Sequence, residues 1–73
     1  MTIKVFSKPG CVQCVATTRY LTEKNVPYEY VDVAEDPAAF DYLVSQGLRG
    51  VPVVESPAGT WTGFQPAKLA TLH

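Results

Sequence analysis

The two cysteines of this chain, Cys11 and Cys14, are separated by only two residues. They follow a short apolar run that ends in a Lys-Pro-Gly turn signal at 8–10, and they open a stretch, 12–24, that contains neither glycine nor proline. This pattern predicts a strand, a tight turn and a helix that begins near Cys11. A cysteine in that position faces unpaired backbone N–H groups, which stabilise a thiolate. The chain is therefore expected to open with a β-α unit that carries a reactive thiol at its junction.

The spacing of the two thiols is typical of dithiol–disulfide exchange, in which the thiolate is the nucleophile. We expect Cys11, at the start of the helix, to attack a substrate disulfide. Cys14 lies one turn further on and faces the core, so it is expected to resolve the mixed disulfide. Lys8 is either a nearby positive charge that favours the thiolate or an ordinary solvated lysine. Val12 and Gln13 stand at the mouth of the site and are expected to contact partners.

Other interpretations of the cysteine pair are weaker. Buried cysteines can simply fill space in a core, but here both stand in one loop position and no other cysteine exists. A structural disulfide would close a tiny loop and remove little chain entropy. Structural zinc needs four protein ligands, and the one histidine is the last residue, His73. That terminal histidine is also a poor general base for cysteine-protease chemistry, so we expect neither a metal site nor a protease.

Hydrophobic periodicity and turn signals divide the chain into seven elements in the order β-α-β-α-β-β-α. A β-α-β opening implies parallel neighbouring strands, and the short turn at 57–59 implies an antiparallel hairpin. The expected fold class is α/β, a four-stranded mixed sheet flanked by three helices, with Cys11 at the carboxyl end of the first strand. The predicted strands are 2–7, 28–33, 51–55 and 60–62, and the predicted helices are 12–24, 37–46 and 66–72.

The helical period also predicts which side chains of the first two helices face the core. These are Cys14, Thr18 and Leu21 in the first helix, and Phe40, Leu43 and Val44 in the second. Asp36 followed by proline is typical of a helix N-cap, and Gly47 of a C-cap.

Length and charge narrow the class of protein. A chain of 73 residues has room for one domain, 1–73, and its formal net charge of −1 suggests neither nucleic acid nor an anionic membrane as a partner. The apolar runs are far too short to span a bilayer, and the N-terminus leads into a strand pattern without a signal-peptide core. We expect a cytoplasmic monomer.

Three segments resemble a known family. The element order, the Cys-Val-Gln-Cys motif at 11–14 and the Val-Pro-Val segment at 51–53 resemble the thioredoxin superfamily and, within it, the small glutaredoxins. The Trp-Thr-Gly-Phe-Gln-Pro segment at 61–66 is similar to the Trp-Ser-Gly-Phe-Arg-Pro signature of NrdH-redoxins, whose active site is also Cys-Val-Gln-Cys. The similarity spans essentially the whole chain and implies the thioredoxin/glutaredoxin fold.

The resemblance implies a dithiol–disulfide oxidoreductase that binds no cofactor of its own. Electrons would come from NADPH through thioredoxin reductase and pass to a protein disulfide, that of the large subunit of class Ib ribonucleotide reductase. NADPH would be used only indirectly, through the reductase. The alternatives are a glutathione-dependent glutaredoxin and a general protein disulfide reductase.

The resemblance also implies that Pro52 is cis and lies beside the cysteines, so that Val51 can pair with a bound peptide. The residue pattern alone favours a trans proline that opens an edge strand, because only about 5–6% of X–Pro bonds are cis. Candidate partner contacts in the same region are Arg49, Trp61, Thr62, Gly63, Phe64 and Gln65. The two aromatic residues of this set are also candidates for the core.

Two residues depart from the NrdH-redoxin signature. Thr62 replaces serine and keeps the hydroxyl, whereas Gln65 replaces arginine and loses its charge and guanidinium fork. The bulk of Phe64 and the missing N–H of Pro66 disfavour glutathione at the place where glutaredoxins hold it. Positive charge from Lys8 and Arg49 would favour it.

Overall fold

The computed structural model describes residues 3–48 and 50–72. Within them the seven elements follow the predicted order, and the predicted four-stranded mixed sheet with three helices is confirmed. None of these helices has the length and apolarity needed to cross a bilayer. The strands are β1 (Lys4–Ser7), β2 (Glu29–Asp32), β3 (Val53–Ser56) and β4 (Gly59–Thr62), and the helices are α1 (Val12–Glu23), α2 (Pro37–Ser45) and α3 (Pro66–Leu69).

The strands lie in the order β2-β1-β3-β4. β1 and β2 are parallel, as predicted, while β3 is antiparallel to both β1 and β4. Because β1 and β3 run in opposite directions, the end of β1 lies beside the start of β3, where Phe6 pairs with Val53. The loop that leads to Cys11 and the loop that contains Pro52 therefore meet at the same end of the sheet, where β1 ends and β3 begins.

Alternation along the strands produces two apolar faces. One packs against α1 and α3, and the other packs against α2. The first face buries Val5, Leu21, Val26, Val54, Trp61, Leu69 and Leu72. The second buries Phe6, Val33, Leu43 and Val53.

Three predictions about the buried faces and the lengths of the helices were wrong. In α1 the buried stripe contains Thr17, while the predicted Thr18 is only half-buried and bonds its hydroxyl to the Cys14 carbonyl (3.1 Å). In α2 the predicted Phe40 and Val44 are both exposed, and Leu43 alone is buried. Ala39 packs against the same cluster as Leu43, so its small side chain faces the sheet. The flank of α2 that carries Phe40 and Val44 is therefore left in solvent. The last helix ends at Leu69 rather than near 72.

At α2 the predicted N-cap is confirmed, whereas the predicted C-cap, Gly47, was wrong by one residue. Asp36 is the N-cap of α2, as predicted, and its Oδ1 accepts a hydrogen bond from the Ala39 N–H (3.2 Å). The C-cap is Gln46 instead of Gly47, and the glycine follows it with a φ of +75°. A positive φ directly after a helix is the position at which glycine is favoured.

Replacing Leu21 by alanine should remove a completely buried side chain that ties α1 to the sheet. We expect Leu21→Ala to lower the free energy of unfolding by about 2–5 kcal/mol, as is usual for such core truncations. Val15→Ala, on the exposed side of the same helix, should change it by no more than about 0.5 kcal/mol. Denaturant unfolding of both variants checks this, and equal losses would contradict the placement of α1.

Candidate active site

Cys11 is the N-cap of α1, with extended backbone angles (φ −91°, ψ 110°). Its sulfur accepts a hydrogen bond from the Cys14 N–H at 3.1 Å, the position that a serine or aspartate oxygen usually takes at a helix start. The side chain is half-buried and therefore still within reach of solvent. The sulfur thus lies at the end of α1 where the first backbone N–H groups have no partner within the helix.

Cys14 lies one turn inside α1 and is buried, with 3% of its surface exposed. Burial, followed by the hydrogen bond with the Cys11 thiol, raises the pKa of the Cys14 thiol. The backbone of Lys8 and the hydroxyl of Ser7 act in the opposite direction. The contribution of Lys8 to this thiol thus comes from its backbone, while its side chain is exposed. The two sulfurs, one helical turn apart, therefore differ in their access to solvent.

Ser7 and Tyr30 belong to this site, and the sequence analysis missed both. Ser7 is completely buried at the end of β1, and its hydroxyl has no hydrogen bond of standard length among the described residues. It is nevertheless close enough to Cys14 to lower the pKa of that thiol. Tyr30 pairs with Val5, two residues before Ser7, so parallel register places it on the same face. The period-two alternation along β1 places Ser7 on the same face as the buried Val5, and this pattern could have predicted that Ser7 points into the protein.

Burial, the nearby carboxylate of Asp32 and the two cysteine sulfurs raise the pKa of the Tyr30 hydroxyl, and Ser7 lowers it. About half of the Tyr30 side chain is exposed. The phenol on β2 is therefore near enough to the cysteine pair to sense its charge and remains accessible to solvent.

The peptide bond between Val51 and Pro52 is cis, as the resemblance implied. The Cys11 thiol points to the Val51 carbonyl oxygen at 3.9 Å, a weak sulfur contact. Pro52 is completely buried, and its carbonyl accepts the Gly63 N–H at 2.8 Å. Since β3 is paired on both sides, the alternative of a trans proline opening an edge strand was wrong.

Gln13 does not simply project into solvent from the mouth of the site. Its Oε1 accepts a hydrogen bond from the Phe64 backbone N–H at 3.1 Å, across 51 positions of sequence. The neighbouring Gly63 has a φ of +81°, and a Cβ added there would lie 3.3 Å from the same oxygen. The motif between the cysteines is thereby joined to the segment that follows β4.

Trp61 is a core residue in this structure. It is 6% exposed, its indole N–H has no partner within the described part of the chain, and the Lys68 ammonium lies 5.9 Å from the ring centre. Its ring is therefore not available for the partner contact that the sequence suggested. Thr62 is exposed and Gln65 half-buried, and the Gln65 Nε2 donates to the Thr62 carbonyl at 2.7 Å. Arg49 lies outside the described residues.

An open groove of about 370 Å³ runs along the outer side of α1 from Val12, the residue after Cys11, to Glu23, and the Arg19–Glu23 ion pair also lines it. Val12 and Val15 on α1 form one wall and are 82% and 62% exposed, and Phe64 forms another. Phe64 also packs its inner side against the core, so it is both a core and a surface residue. In residues 3–48 and 50–72, no group of three or more histidine, cysteine or acidic side chains is placed to hold a metal ion. The arrangement offers an accessible sulfur and a buried second sulfur one helical turn away, the two thiols that dithiol–disulfide exchange uses.

Known proteins with similar sequences and structures share this arrangement of elements. The Glutaredoxin family model matches residues 3–56. The glutaredoxin-like protein NrdH of Salmonella typhimurium is 38% identical over 73 residues, which cover all of this chain and 90% of that protein. Glutaredoxin-like protein NrdH of Lactococcus lactis is 29% identical over 70 residues, or 96% of this chain and 97% of that protein.

A solved structure agrees with these sequence relatives. The glutaredoxin-like protein NrdH-redoxin from Escherichia coli superimposes with a TM-score of 0.96 at 36% identity, covering 100% of this chain and 96% of that one. The cysteine pair at the start of α1 and the glutaredoxin match point to the same chemistry. The chain belongs to the glutaredoxin family, among the NrdH glutaredoxin-like proteins, and is a thiol–disulfide oxidoreductase.

Proposed function

We propose that this chain carries electrons from NADPH, through thioredoxin reductase, to the disulfide of the large subunit of class Ib ribonucleotide reductase. The unequal burial of Cys11 and Cys14 within one helical turn is the observation that carries the electron-carrier role, because it separates an attacking sulfur from a resolving one. The choice of donor is supported by full-length similarity to the Escherichia coli NrdH-redoxin, which is described as having a thioredoxin-like activity profile. NADPH binds to the reductase, and this chain itself holds no cofactor.

The cysteines divide the reaction into two steps. The Cys11 thiolate attacks one sulfur of the acceptor disulfide, forms a mixed disulfide and releases the first acceptor thiolate. Cys14 loses its proton and attacks the Cys11 sulfur, which releases the second acceptor thiolate and leaves a Cys11–Cys14 disulfide. Two electrons have then passed to the acceptor, and the reductase restores the dithiol.

Local contacts support a protein as electron donor over glutathione. A carboxylate of glutathione needs free donors, and the Phe64 N–H already bonds to Gln13. Pro66, at the start of α3, has no N–H to offer. The exposed Val12 and Val15 beside Cys11 instead suit an apolar polypeptide surface.

The donor is tested by following NADPH oxidation with a disulfide substrate in two arms. One arm contains thioredoxin reductase, and the other contains glutathione with glutathione reductase. We expect turnover in the first arm that is at least about tenfold above that in the second, a gap of about 1.4 kcal/mol in barrier. Turnover confined to the glutathione arm would instead identify a glutathione-dependent glutaredoxin.

The acceptor and the roles of the sulfurs are tested by Cys14→Ser. Without the resolving thiol, the mixed disulfide between Cys11 and the acceptor should persist, and non-reducing electrophoresis with the class Ib large subunit should show a covalent complex. The matched Cys11→Ser variant should form none, because the remaining sulfur is buried. A complex formed by Cys11→Ser and not by Cys14→Ser would reverse the assigned roles.

The Ser7 hydroxyl should set the pH at which resolution becomes fast. Since it lowers the pKa of Cys14, Ser7→Ala should raise that pKa further, reduce the thiolate fraction at pH 7 and slow resolution severalfold there. The rate should recover at higher pH, so the whole pH–rate profile should shift to higher pH. Release of a coloured aromatic thiol from its mixed disulfide with Cys11, followed across pH, measures this step.

The matched control is Ser45→Ala, since Ser45 lies on α2 and bonds the Tyr42 carbonyl. Its profile should coincide with that of the unmodified chain. The Ser7 hydroxyl lacks a standard hydrogen bond, so its removal should change the free energy of unfolding by no more than about 1 kcal/mol. An unmoved profile in Ser7→Ala would show that the hydroxyl does not act on Cys14.

A further inference from the structure

The Gln13 carboxamide makes a contact that catalysis by two cysteines does not require. Its Oε1 reaches from the first turn of α1 to the Phe64 N–H, although the residue is exposed and water could satisfy the oxygen equally well. The backbone of Gln13 is itself fixed within α1, because its carbonyl accepts a hydrogen bond from the Thr17 hydroxyl at 2.9 Å. The side chain therefore links a fixed point on α1 to the segment after β4.

The region around Phe64 is shaped to accept that link. Gly63 donates its N–H to the Pro52 carbonyl at 2.8 Å, so the segment is tied to the loop beside Cys11 on one side and to Gln13 on the other. Any side chain at position 63 would meet the Gln13 oxygen and would have to adopt a φ of +81°. Glycine at 63 and glutamine at 13 are thus complementary.

The link holds the backbone of Phe64, a residue that lines the groove along α1. Phe64 lies opposite Val12 and Val15, and Val12 directly follows Cys11. The groove begins at Val12, which is adjacent to Cys11 and 82% exposed, so residues that flank a disulfide bound at Cys11 can contact it. A small disulfide has no flanking polypeptide with which to contact Phe64.

We propose that Gln13 is a positioning residue for protein substrates, whose carboxamide holds Phe64 in place so that the polypeptide flanking a target disulfide is aligned with Cys11. The proposal rests on the disulfide-exchange role of Cys11 and is independent of which reductase or acceptor serves the chain. Gln13 acts through Phe64 and not on the reacting sulfurs.

The first test compares two substrates in three variants, with dithiothreitol as reductant. Gln13→Leu keeps the approximate size of the side chain and removes the acceptor oxygen, whereas Gln13→Glu keeps an acceptor oxygen. The control, Gln46→Leu, makes the same glutamine-to-leucine change at the remote C-terminal end of α2. We expect Gln13→Leu to lower kcat/KM for insulin disulfides about fivefold relative to that for hydroxyethyl disulfide, the loss expected for one hydrogen bond, and mainly through KM. Gln13→Glu should restore the ratio, and Gln46→Leu should keep it.

The second test needs no substrate. Hydrogen exchange of the Phe64 amide, followed by NMR in the reduced protein, should accelerate about fivefold or more in Gln13→Leu and stay slow in Gln13→Glu. Unaltered Phe64 exchange, or equal loss of activity towards both disulfides, would overturn the proposal. Neither test contains thioredoxin reductase or ribonucleotide reductase. Both results can therefore be interpreted even if the proposed electron donor and acceptor are wrong.

Discussion

The antiparallel pairing of β1 with β3 is the constraint on which the rest of this molecule depends. These two strands form the middle of the sheet, so the completely buried Val5, Val53 and Val54 belong to them. Their opposite directions bring the end of β1 to the start of β3, which places the Cys11 loop beside Val51 and Pro52. A single register therefore determines both the core and the position of the reactive sulfur.

Around that framework, the chemistry arises from a difference between two otherwise equal thiols. Cys11 caps the helix and keeps contact with solvent, whereas Cys14 is carried inward by one helical turn, where burial raises its pKa. In the proposed mechanism Cys14 must lose its proton before it attacks, so its raised pKa limits the rate of resolution at neutral pH. The buried Ser7 hydroxyl moderates this effect, and its lack of a standard hydrogen bond among the described residues is consistent with a site shaped for function.

Much of the fold could be predicted because its signals are local. Glycine and proline mark the turns, period-two and helical patterns mark the elements, and Asp36 marks the start of α2. The errors occurred where the sequence offers two similar apolar faces on one helix and tertiary packing decides which of them is buried. Either flank of Leu43 offers apolar residues, and the small Ala39 allowed α2 to approach the sheet on the side away from Phe40 and Val44.

The sequence by itself determined that this chain is a small α/β redox protein, because two cysteines at a helix start permit little else and because the motifs at 11–14 and 61–66 are specific. Only the tertiary structure decided which groups surround those sulfurs. Tyr30 and Phe64 are distant from the cysteines along the chain; strand register brings Tyr30 towards them, and one side-chain hydrogen bond ties Phe64 to the residue between them. Such long-range contacts depend on the packing of the whole domain, and local sequence patterns do not encode them.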